Sequence, residues 1–190
     1  MDRPREFGRA GLSLQPGVHI CALYRTPQQR DDIVASFVGE GLRTGDRCIC
    51  IVDSSRPLQL LAGAGSGIDI GYVASGQLEV RSSSEAYLRC GRFSPQELLA
   101  YLDDSVSAAV ADGPFPFVRV IGEIPPSLSD SPQEELFAYE SDLDRFAARY
   151  PQAIVCLYRA DRFAGIVMGL LKTHDKVLFD DVVFEGWGRS

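Results

Sequence analysis

The feature that most limits what this chain can become is a regular exchange of short apolar runs and longer amphipathic stretches. GVHICALY (17–24), RCICIVD (47–53), GQLEVRS (76–82), FVRVI (117–121) and AIVCLY (153–158) are rich in Val, Ile and Cys. Their nearly continuous apolar character is that of strands buried on both faces. Between them, apolar side chains recur every three or four positions, which predicts helices. One carries Ile33, Val34, Phe37, Val38 and Leu42, and the next Leu98, Leu99, Leu102, Val106 and Val110. A third carries Leu136, Tyr139, Leu143, Phe146 and Tyr150. A last helix, apolar almost all round, is expected over 161–172, with an edge strand over 176–184. Strands alternating with helices predict an α/β fold: a mostly parallel central sheet flanked by helices.

Three helix starts share one device. Thr26-Pro27-Gln28-Gln29, Ser94-Pro95-Gln96-Glu97 and Ser131-Pro132-Gln133-Glu134 each offer a hydroxyl N-cap, Pro at N1 and Gln or Glu at N3. The hydroxyl accepts from free backbone N–H groups, Pro sits where an N–H is unused, and the N3 side chain bonds back. The expected division is a flexible leader over 1–16, a single domain over 17–184 and a tail over 185–190.

Charge and cysteine usage narrow the function classes. The net charge of −7 argues against nucleic acid as a direct partner, because phosphate contacts need a basic surface. No apolar run approaches the roughly 20 residues that span a bilayer, and the first residues lack the apolar core of a secretory signal. No membrane association is therefore expected. Cys21, Cys48, Cys50, Cys90 and Cys156 are odd in number and mostly lie in strand-like runs. Reduced core thiols in the cytoplasm fit this better than a disulfide framework.

Ligands of open α/β sheets bind outside the carboxyl ends of the strands. A phosphate-binding loop needs glycines for its backbone wrap and a lysine for charge. Here the first strand-to-helix turn reads Tyr24-Arg25-Thr26-Pro27-Gln28-Gln29-Arg30, with neither residue type, and Pro27 removes an N–H. The strand 117–121 leads into Gly122-Glu123 rather than ending in a magnesium-binding Asp. The glycines at 63, 65 and 67 follow a helical stretch and read as a turn. No nucleophile–base pair stands out, so no enzyme activity, no catalytic residue and no cofactor are expected.

Several polar residues occupy core-like positions. Strand residues two apart share a face, so His19 lies with Cys21, and Cys156 with Tyr158. If the strands at 17–24 and 153–158 are neighbours, His19, Cys21 and Cys156 converge, with His174 approaching from beyond the last helix. Two Cys and two His suffice for zinc, but His-x-Cys on one strand is an uncommon clip, and no metal site is expected. Glu140 falls on or beside an apolar helical stripe, where a carboxylate needs a partner; Arg119, Arg159 and His19 are candidates. Glu123, Tyr24 and Tyr158 belong at the carboxyl edge of the sheet, where a ligand cavity is expected near Tyr24, Glu123 and Tyr139.

These residues resemble a known family. His19-Ile20-Cys21-Ala22-Leu23-Tyr24 is similar to the H-x-C-x-x-Y opening of the MEDS domain, the methanogen/methylotroph sensory domain of the dichloromethane-responsive repressor. The resemblance continues through Phe37 to Cys48, Tyr87 to Phe93, Arg119 to Glu123, Tyr139-Glu140, Cys156 to Tyr158 and Leu171 to His174. Glu40 to Asp53 also resembles the corresponding stretch of RecA/KaiC-like ATPases, which agrees with a nucleotide fold without its phosphate loop. The resemblance implies a non-enzymatic sensory module that binds a small organic molecule, proposed to be a simple hydrocarbon derivative. It implies signalling to a regulatory protein of the kinase or sigma-regulator type. By matching positions, His19, Cys21, Tyr24, Glu123, Tyr139, Glu140, Cys156, Tyr158 and His174 inherit the ligand-binding roles. Ile124-Pro125-Pro126 and Asp175 depart from the family pattern, so the ligand's identity does not carry over. Two other readings stand beside this one: a partner-switching module without small ligand, and a redox or metal sensor using Cys21, Cys156, His19 and His174. A homodimer is compatible with all three.

Overall fold

The computed structural model describes residues 5–8, 11–53, 71–88, 92–111 and 113–185. Cys90, the 63–67 glycines and most of the tail lie outside them. In chain order the elements are β1 (Val18–Tyr24), α1 (Pro27–Thr44), β2 (Arg47–Val52), α2 (Gly71–Ala74), β3 (Leu78–Ser82), α3 (Ser83–Tyr87) and α4 (Pro95–Ala111). There follow β4 (Val118–Glu123), α5 (Gln133–Ala147), β5 (Gln152–Arg159), α6 (Val167–Thr173), β6 (Lys176–Phe179) and β7 (Val182–Glu185). The seven strands form one sheet in the order β3-β2-β4-β5-β1-β6-β7. Every neighbouring pair is parallel except β6 and β7. The α/β fold expected from the alternation is thus present, with β1 and β5 side by side.

Side chains alternate across the sheet and feed two separate cores. Val18, Ile20, Ala22 and Tyr24 of β1 pack on the α1 side, with Val34, Phe37 and Val38. Cys21 and Leu23 pack on the other side with Leu102, Leu136, Tyr139 and Leu143, from α4 and α5. Phe37 is fully buried, and sequestering one such side chain stabilises the fold by about 2–3 kcal/mol.

Thr26 caps α1 as expected. Its hydroxyl accepts from Gln29 N at 3.2 Å, and Gln29 Oε1 accepts from Arg25 N and Thr26 N. Gly45 ends α1 in the left-handed region, with φ of 84°. The third start differs. A 3-10 turn over Pro126–Asp130 comes first, Ser131 closes that turn, and Pro132 precedes α5 without any side-chain cap. Ser131 is thus spent on ending one turn rather than starting the next helix.

Three further expectations change. The helix expected over 161–172 is a 3-10 turn at Ala164–Ile166 followed by the shorter α6. The run 176–184 is a hairpin rather than one strand: Asp180 and Asp181 adopt φ of 49° and 63°, and β7 folds back on β6. Positive φ at both central positions is what a two-residue hairpin turn demands. The leader expected to be flexible is packed over its described part. Phe7, Leu12 and Leu14 are buried, and Glu6 and Ser13 bridge. Buried Arg119 holds this segment down, donating to Asp46 Oδ2 at 2.8 Å and to Glu6 O at 2.7 Å, while Arg5 reaches Asp46 Oδ1 at 3.1 Å. Among the described residues no helix is long and apolar enough to cross a membrane.

Candidate functional site

The candidate residues separate by strand parity onto opposite faces of the sheet. Tyr24 and Glu123 face α1, whereas the others face α5. The single cavity expected near Tyr24, Glu123 and Tyr139 is therefore corrected, because the sheet stands between Tyr139 and the other two.

On the α1 face, Glu123 is saturated. Tyr24 OH donates to Oε1 at 2.5 Å, Asp53 N donates to Oε2 at 2.6 Å, and Arg30 Nη1 lies 3.5 Å from Oε2. Arg30 also donates to Asp53 O at 3.0 Å. Burial and the neighbouring Glu123 carboxylate push the Tyr24 hydroxyl well above its ordinary pKa. This constellation ties the carboxyl ends of β1, β2 and β4 together. Arg30 and Asp53 went unnoticed in the sequence, since neither interrupts an apolar pattern.

The α1 N-terminus, where a phosphate would sit, is engaged by the chain's own side chains. Besides the Thr26–Gln29 cap, Gln29 Nε2 donates to Asp180 Oδ1 at 3.2 Å, and Arg25 pairs with Asp180. A cap and a carboxylate stand where a nucleotide site would present free amides.

On the α5 face, His19, Glu140, Cys156 and His174 meet. One donor atom from each lies within 4.8 Å of all the others, and all four side chains are buried. They come from β1, α5, β5 and the residue after α6. Parallel pairing sets Cys21 opposite Cys156. Reciprocal bonds of 3.0 Å, His19 N to Asp175 Oδ2 and Asp175 N to His19 O, bring His174 beside His19. The imidazole rings lie 4.1 Å apart between centroids.

Glu140 is the hub. Tyr158 OH donates to its Oε1. Its Oε2 lies 3.2 Å from His19 Nε2 and 3.2 Å from His174 Nε2. Arg119 and Arg159, expected as its partners, are elsewhere. Arg119 lies on the α1 face with Asp46, and half-exposed Arg159 pairs with Asp161. His19 Nε2 is 3.4 Å from Cys156 Sγ, and His19 Nδ1 is 3.7 Å from Asp144 Oδ1. Asp144 also went unnoticed, although it follows Glu140 by one helical turn, a spacing that places both on one face.

The proton positions follow from the partners. His174 Nδ1 is 2.8 Å from Leu170 O, which can only accept, so Nδ1 carries a proton. His174 Nε2 faces the Glu140 carboxylate at 3.2 Å. Glu140 Oε2 and His174 Nε2 are not joined by a well-directed hydrogen bond, and His19 Nδ1 is likewise unmatched. Burial pushes the Glu140 carboxyl up, but His174 and His19 together outweigh it and hold it well below the usual carboxylate range. Burial likewise pulls His19 down, and Asp144 and Glu140 outweigh it, so its pKa is raised. His174 is lowered by burial and by His19. The Cys156 thiol is pushed up by burial, then by Glu140.

An aromatic group adjoins this centre. Tyr139 packs edge-on against Tyr87 and Phe93, at 6.1 and 5.6 Å between centroids. Gly122, which pairs with Cys156 across β4 and β5, makes room for Tyr87: a Cβ there would stand 2.5 Å from the Tyr87 hydroxyl. Cys21 lies in the same core, and burial followed by the Glu140 charge raises its pKa.

No curated protein matches the chain. The model of one family, MEDS, described as the methanogen/methylotroph, DcmR sensory domain, matches residues 18–175. This span opens on β1 and closes one residue beyond His174, so it contains every candidate side chain discussed above. The chain belongs to the MEDS family of sensory domains.

Proposed function

We propose that this chain is a non-enzymatic, cytoplasmic sensory module that receives a small organic molecule between the Glu140 centre and the Tyr87–Phe93–Tyr139 group. The observation that supports it is the fully buried cluster of His19, Glu140, Cys156 and His174 beside the aromatic group. Apolar walls beside a few converging polar groups are the composition of a small-molecule site. The strands and helices that meet there give a bound guest leverage over the positions of α5 and α6. The signal then passes to a regulatory protein of the kinase or sigma-regulator type, with the chain acting alone or as a homodimer.

Thermal-shift measurements with small alcohols, halomethanes, amides and carboxylic acids test this reading. A ligand that binds only the folded state at 100 times its Kd adds about 2.7 kcal/mol of stability, a shift of several degrees. The shift is expected to vanish in Glu140→Gln. If none of these classes moves the midpoint, the organic-ligand reading fails.

A further inference from the structure

We infer that His19 Nε2, His174 Nε2, Cys156 Sγ and one oxygen of Glu140 are the four ligands of a divalent metal ion of the zinc class.

Distances come first. Zinc bonds of about 2.0–2.1 Å to N and O imply tetrahedral edges of roughly 3.3 Å, and a bond of about 2.3 Å to S implies N-to-S edges of roughly 3.6 Å. Three of the six edges are 3.2 Å for each imidazole to Glu140 and 3.4 Å for His19 to Cys156, and all four ligand atoms lie within 4.8 Å of one another. Glu140 Oε2 and His174 Nε2 are 3.2 Å apart without a well-directed hydrogen bond, a separation that two ligands of one ion also have.

The outer contacts are those that metal ligands have. His174 Nδ1 donates to Leu170 O at 2.8 Å, the outer contact of a metal-bound imidazole, while His19 Nδ1 lies 3.7 Å from Asp144, too far for a direct hydrogen bond. Tyr158 donates to Glu140 Oε1, leaving the other oxygen for the ion. Charge balances as well. A dication with one thiolate, one carboxylate and two neutral imidazoles is neutral, which suits a fully buried position. Binding releases the Cys156 thiol proton and any proton on the imidazoles. Imidazole with thiolate selects zinc over magnesium or calcium, which prefer oxygen throughout. Sequence spacing argues against a metal only because the ligands come from separate elements, which no local motif records. Cys21, paired with Cys156 in the sheet, is outside the converging set, and Glu140 takes its place.

The proposal deepens the sensory reading, on which it rests for its purpose. Four protein ligands close the coordination shell, so the ion acts as a lock between β1, β5, α5 and α6 rather than as an open Lewis acid.

The test uses the tag-free chain of 190 residues. His19 and His174 are its only histidines, so imidazole-dependent binding can arise nowhere else. Protein expressed in zinc-supplemented medium is expected to hold one equivalent of zinc by elemental analysis, and to lose several degrees of thermal midpoint on chelation. Cobalt(II) added to the stripped protein should give tetrahedral d–d bands with a thiolate charge-transfer band, the latter lost in Cys156→Ser. Removing an outer partner of a metal ligand typically costs about 10–100-fold in affinity. Tyr158→Phe should show that loss, and His174→Ala a larger one. Tyr158→Phe keeps the ring and serves if His174→Ala does not fold. Absence of zinc and cobalt binding by the folded wild-type chain would overturn the inference. So would cobalt affinity unchanged in both Cys156→Ser and Tyr158→Phe. Organic ligands are scored separately on zinc-loaded and stripped protein, so a failed ligand screen leaves a positive metal result standing, and the reverse.

Discussion

Two buried glutamates on opposite faces of one sheet make an instructive contrast. Glu123 accepts from Tyr24, from the Asp53 backbone and from Arg30, so both oxygens are matched by donors. Glu140 accepts from Tyr158 at one oxygen and meets two imidazole nitrogens with the other, where no hydrogen bond forms. The first arrangement is complete without a guest. The second gathers two imidazoles and a thiol around one carboxylate, a set that can also hold a cation. Burial of a carboxylate thus identifies neither a structural nor a functional role; the pairing of its second oxygen does.

The contrast can be broken by substitution, from the largest expected effect to the smallest. Phe7→Ala removes a fully buried ring packed 5.0 Å from Phe37, so the α1 face should lose about 3–5 kcal/mol in urea unfolding. A loss under 1 kcal/mol would return the leader to the loose segment that its sequence suggests. Glu123→Gln turns an acceptor into a donor toward groups that are already donors, and should cost about 3 kcal/mol. Gly122→Ala drives a methyl against the Tyr87 hydroxyl, and overpacking of this kind costs about 1–3 kcal/mol. It should also weaken any organic ligand, read as a smaller thermal shift at equal concentration. Glu140→Gln keeps the Tyr158 hydrogen bond through its amide oxygen and should cost the metal-free chain less than Glu123→Gln, about 1 kcal/mol. Equal destabilisation by the two Glu-to-Gln changes would erase the distinction between the faces.

Much of the fold is legible in the residues. The strands at 17–24, 47–53 and 153–158 appear within a residue or so of their expected limits, because an apolar run closed by turn residues carries its own boundaries. The Thr26 cap forms because its hydroxyl and the Gln29 amide need only each other. Ser131 misled, since the Pro125-Pro126 pair upstream starts a 3-10 turn that uses it first. At the candidate site, His19 with Cys21 and Cys156 with Tyr158 follow from two-residue periodicity. The partner of Glu140 was only half legible: His19 was foreseen, His174 was placed merely in the region, and the arginines were wrong.

The sequence by itself determined the element types, the side of each strand on which a residue lies, and the absence of glycine and lysine from the first turn. These depend on spacings of two to four residues, which the backbone converts directly into geometry. The strand order β3-β2-β4-β5-β1-β6-β7, which sets β1 beside both β5 and β6, was decided only by tertiary packing. That order brings ligand atoms of residues 19, 140, 156 and 174 within 4.8 Å of one another. Contacts between residues more than a hundred positions apart carry no local signature, because their energy lies in the burial of whole elements rather than in any short motif.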